Sequence, residues 1–94
     1  MNHPYALSLS EKRLARVLSK LNVLIDLIEK DDILDKERFQ LLFESHWLST
    51  NASRGMLLLP TWNLFLFSAL HSDSLRSDPE TYTALQAVAQ ELRN

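Results

Sequence analysis

Twenty of the 94 residues are leucine, against three isoleucines and three valines, and a single glycine, Gly55, occurs in the whole chain. Unbranched and γ-branched side chains keep rotamer freedom in a helix, β-branched ones favour strands, and sheets need glycine-bearing turns. The chain is therefore expected to be all-α. Its length suits one domain over residues 1–94, with residues 1–7 expected as a flexible N-terminus. An apolar share of 46% beside 23% charged residues excludes a disordered chain. A domain of this size buries only roughly 60–65% of its unfolded surface, so association with another copy would help it.

Four helices are predicted, over residues 9–30, 33–48, 60–71 and 79–92, packed as one bundle. Ser8 with Glu11 fits a capping box, and Leu9 with Leu14 would staple a cap at Ser10. At about 100° per residue, Leu14, Val17, Leu18, Leu21, Leu24, Ile25 and Ile28 form one core stripe. Asp32 or Asp35 can cap the second helix, whose inward face is expected to be Phe39, Leu42, Phe43 and His46, with Trp47 at the margin. The polar run 49–53 is expected to be a turn.

Residues 54–71 are ambiguous. Pro60 cannot lie deep in a helix, so a short helical turn before it and a helix from Pro60 or Thr61 to His71 are expected. The apolar residues from Trp62 to Leu70 point all round a helical wheel and would equally suit a strand buried on both faces, but such a strand has no partner elsewhere in the chain. Asp78, Pro79 and Glu80 are a strong helix start, and the last helix should turn Tyr82, Leu85, Val88, Ala89 and Leu92 inward.

The net charge of −2 is unevenly spread. Residues 1–30 carry five Lys/Arg and three Asp/Glu, residues 31–50 two and five, and residues 51–94 three and four. Arg13, Arg16 and Lys20 share one side of the first helix, suited to phosphates or an acidic partner, or simply to solvent. Val23 and Leu27 continue that line opposite the core stripe, and Leu34, Leu41 and Leu48 recur every seventh residue opposite the expected inner face of the second helix. Two greasy faces per helix imply either cover by the third helix or contact with another chain. Burying a Val or Leu is worth about 1.5–3 kcal/mol, and association costs an estimated 4–15 kcal/mol, so five such residues per subunit would support a homodimer.

Several chemistries are missing from the sequence. Without cysteine there is no disulfide, thiolate metal site or cysteine nucleophile, and no glycine-rich phosphate loop can be built from one glycine. His3, His46 and His71 have no carboxylate or histidine at metal-binding helical spacing. His46 is expected as a core histidine; an enzyme would need a pocket where it meets a carboxylate from another helix. No cofactor or metal is expected. The N-terminus lacks the pattern of a secretory signal, and the longest apolar run, residues 56–70, is too short and too interrupted to span a membrane, which points to the cytoplasm and away from membranes. Asn51-Ala52-Ser53 matches a glycosylation pattern but is expected as a turn.

Together these features point to a small non-enzymatic protein that binds other proteins, of adaptor, anti-activator, chaperone or immunity type. Its expected contacts are Arg13, Arg16 and Lys20 for orientation and Val23, Leu27, Leu34, Leu41 and Leu48 for burial. The alternative is a nucleic-acid-binding regulator using the basic side of the first helix, although the second and third helices are too acidic or too apolar for a recognition helix.

Overall fold

The computed structural model describes residues 11–30, 35–55 and 57–93. Five helices follow one another: α1 (Glu11–Glu29), α2 (Lys36–Ser53), α3 (Leu59–Leu70), α4 (Asp73–Arg76) and α5 (Pro79–Arg93). The protein is an all-α bundle. Helix α1 packs most extensively on α5 and next on α2, α3 bridges α2 and α5, and α4 fills the corner they leave. The cap and staple candidates Ser8, Leu9 and Ser10, the expected flexible stretch 1–7, and Asp32 and Leu34 lie outside the described residues.

The predicted stripe of α1 is its core face. Val17, Leu21, Leu24, Ile25 and Ile28 are buried, and Leu14 and Leu18 pack partly buried against them. Helix α5 contributes Leu85, Val88 and Ala89 to the same core, with Tyr82 and Leu92 half-buried beside it. Helix α3 adds Trp62, Phe65, Leu66 and Ala69. The strand alternative for this segment is overturned. Pro60 sits in the first turn of α3, where its missing N–H costs nothing, and residues 57 and 58 ahead of it are not helical.

Two boundaries differ from expectation. Helix α2 runs through the supposed turn at residues 49–53, because its polar side chains bond back onto carbonyls of the preceding turn. Ser45 Oγ donates to Leu41 O (2.7 Å), Thr50 Oγ1 to His46 O (2.9 Å) and Asn51 Nδ2 to Trp47 O (3.1 Å). Such bonds let Ser, Thr and Asn stay helical instead of opening a turn. The helix stops at Gly55, whose φ of 85° is the left-handed conformation glycine takes without strain, and its N–H donates to Ala52 O. Between α3 and α5, where no helix is predicted, lies a further helical turn, α4, capped by the buried Ser72, whose Oγ accepts from Leu75 N.

The larger correction is the orientation of α2. Leu41 and Leu48 are 4% and 2% exposed, and with Arg38, Ser45 and Ala52 they form the inner face. Phe39 and Phe43, expected inside, are outside, and so is His46; Leu42 is half-buried. Apolar residues lie on both sides of this helix, so periodicity selects neither. Packing decides: Ser45 and Ala52 are small enough for α2 to approach its neighbours, whereas a ridge of three aromatics would hold the helices apart.

Candidate functional site

The outer face of α2 carries Phe39, Phe43 and Trp47 at successive intervals of four, so their side chains form one ridge. They are 61%, 68% and 50% exposed. On the wheel this ridge is centred about 180° from Leu41, Ser45 and Leu48. Facing it across the α2–α3 junction is Leu64 of α3, 71% exposed. Between the two runs a groove of about 350 Å³, walled by Phe43, Trp47 and Leu64 and floored by the buried Leu48 and Phe65. Glu44 is the one charged residue lining it. A smaller hollow of about 120 Å³ adjoins Trp47 on the side of Leu58 and Trp62. An open groove with apolar walls, one acid at its edge and the hydroxyl residues Thr61 and Ser68 in its lining can take up apolar side chains.

The basic side of α1 is engaged within the chain. Arg16 Nε donates to Glu91 Oε1 at 2.7 Å, and Lys20 Nζ reaches Glu91 Oε2 at 3.1 Å. Hydrogen bonds from Arg16 and then Lys20 hold the Glu91 carboxyl below its ordinary pKa. Arg13 Nη2 donates to the carbonyls of Leu92 (3.0 Å) and Glu91 (3.3 Å), at the negative end of the α5 dipole. Arg13, Arg16 and Lys20 are thus brought together, against α5. Glu91 was not foreseen as their partner, although an acid in the last turn opposes the helix dipole and so calls for a cation.

Of the other residues singled out, Val23 is exposed, Leu27 is half-buried, and Leu34 lies outside the described residues. Leu41 and Leu48 belong to the core, so they form no exposed strip. His46 Nε2 lies 2.6 Å from Glu29 Oε1, a link between α1 and α2 on open surface outside the groove. Among the described residues there is no group of three His, Asp or Glu side chains placed to hold a metal, and no helix long and apolar enough to cross a membrane.

A second polar junction fixes the α2 end nearest α4. Asp35 caps α2 by accepting from Arg38 N (2.7 Å) and also accepts from Ser74 Oγ (2.6 Å), which lowers its pKa. Asp78 caps α5, its pKa lowered chiefly by the Thr81 hydroxyl, and its Oδ2 lies 3.8 Å from Nη2 of the buried Arg38. Asp78 thus ties the start of α5 to the buried Arg38 of α2, as Asp35 ties the start of α2 to Ser74 of α4. No protein-family model, curated protein or solved structure matches this chain.

Proposed function

We propose that this protein is a non-enzymatic interaction protein that docks through the aromatic ridge of α2 and the groove between α2 and α3. The observation that carries it is the exposure of Phe39, Phe43, Trp47 and Leu64 on one continuous surface, while smaller residues fill the inner face of the same helix. At 150–250 Å² per aromatic side chain, the three rings leave about 350 Å² of apolar area in water. Covering it is worth about 9 kcal/mol gross at roughly 25 cal/mol per Å², within the range that offsets the cost of association. A nucleic-acid role finds less support, since the cations of α1 nearest one another are bonded to α5.

A photo-crosslinking residue tests this in the native cell. Benzoylphenylalanine in place of Phe43 should yield a discrete covalent adduct on illumination, and the same residue in place of the exposed Gln86 of α5 should not. Equal labelling at both positions, or none at Phe43, would contradict the docking role.

A further inference from the structure

The ridge is arranged symmetrically about its own middle. Phe39 and Trp47 stand four residues to either side of Phe43. A two-fold axis beside Phe43 therefore places Phe39 of one copy against Trp47 of the other, and the reverse, which is the reciprocity that an isologous interface demands. Two ridges of this i±4 type run alongside each other when their helices cross at about −50°, the commonest class of helix packing.

Knob and hole are also both present, and at the matching ends. Trp47 and Phe43 wall the groove, whereas Phe39 projects from the far end of the ridge and does not line it. Under the two-fold operation Phe39 of the second copy arrives beside Trp47 and enters the space between the α2 ridge and Leu64. The groove volume of about 350 Å³ accommodates a phenyl ring. The three ridge positions are uncharged, and Glu44 at the edge of the groove is the one charged residue lining it. A standard interface covers about 800 Å² per partner. The three aromatics supply a little under half of that, and Leu64, Gln40 and Thr61 border them.

We infer that the occupant of this face is a second copy of the same chain, bound by antiparallel crossing of α2 on α2 with the two-fold axis at Phe43. This rests on the docking role above and names its partner. The experiment combines sedimentation equilibrium of the full chain from about 1 to 100 μM, acrylamide quenching of tryptophan, and cysteine crosslinking, which the absence of any native cysteine makes unambiguous. Trp62 is buried, so quenching reports on Trp47.

The expected result is a dimer in which Phe43→Cys links to itself on oxidation, a mixture of Phe39→Cys and Trp47→Cys chains links preferentially between unlike chains, and Gln86→Cys does not link. Phe43→Glu should keep its helical circular dichroism and weaken the dimer at least about 100-fold. A dimer that survives Phe43→Glu, or that links at Gln86→Cys in preference to Phe43→Cys, overturns the inference. A monomer at 100 μM with Trp47 open to acrylamide also overturns it but leaves docking to a different protein intact. A monomer with Trp47 shielded means that the chain covers its own ridge, which overturns both the second copy and the docking role.

Discussion

Glu91 illustrates how single residues divide between fold and surface. It occupies the last turn of α5, where a negative charge is unfavourable, and is held there by Arg16 and Lys20. Its pKa and those of Asp35 and Asp78 are lowered on folding, so the unfolded chain takes up protons first as pH falls. Stability from these groups is complete above their ordinary range, near 4.5 for Glu91 and 3.8 for the aspartates, and is lost on further acidification. Glu91→Gln should therefore flatten the fall in stability below that range, read as chemical-denaturation midpoints between about pH 3 and 6. An unchanged slope would remove the ion pairs from the account. In the core, Leu24→Ala should cost about 2–5 kcal/mol, measured by the same denaturation, because a fully buried leucine leaves a cavity. That leucine is legible from periodicity, since it is one of the seven residues of the core stripe of α1. Glu91 is not, because its partners are some 75 residues away in sequence.

Helices differ in how much of themselves they declare. The start of α5 was readable from Asp78 and Pro79, and capping predicts that Asp78→Ala lowers stability by about 1 kcal/mol, a fall in Tm of roughly 4–8 °C. No change in Tm would mean that the cap contributes nothing. The end of α2 is hidden in the sequence, since Ser, Thr and Asn between residues 49 and 53 look like a turn until their bonds to preceding carbonyls are seen. Its true stop, Gly55, has open space around its Cα but a positive φ, so Gly55→Ala should destabilise through backbone strain alone, by about 1–2 kcal/mol in a thermal melt. A neutral or stabilising substitution would show that the turn relaxes freely. The facing of α2 was hidden for a different reason. Leucines at 41 and 48 and aromatics at 39, 43 and 47 give opposed apolar faces, and only packing against α1 and α3, through Ser45 and Ala52, selects between them.

At the scale of the molecule, the bundle measures 42 × 21 × 19 Å. It buries Leu41 and Leu48 of α2 and leaves the aromatics of that helix, Phe39, Phe43 and Trp47, outside. The sequence pattern indicates surplus apolar surface on Val23, Leu27, Leu34, Leu41 and Leu48; Val23 is exposed, but Leu41 and Leu48 are core. The pattern puts these two outside because a large ring counts as core in any reading that weighs hydrophobicity without volume. The exposed ridge and the groove beside it, with Glu44 as its one charged lining residue, follow from that single choice of face. The direct comparison is Leu41→Glu with Phe43→Glu, two glutamates placed two residues apart on the same helix, followed by circular dichroism and thermal melting of each. Burying an unpaired carboxylate costs several kcal/mol, so Leu41→Glu should abolish the cooperative fold, while Phe43→Glu should keep its helical signal and a cooperative melt. A folded Leu41→Glu beside an unfolded Phe43→Glu would contradict the orientation of α2 and every contact built on it.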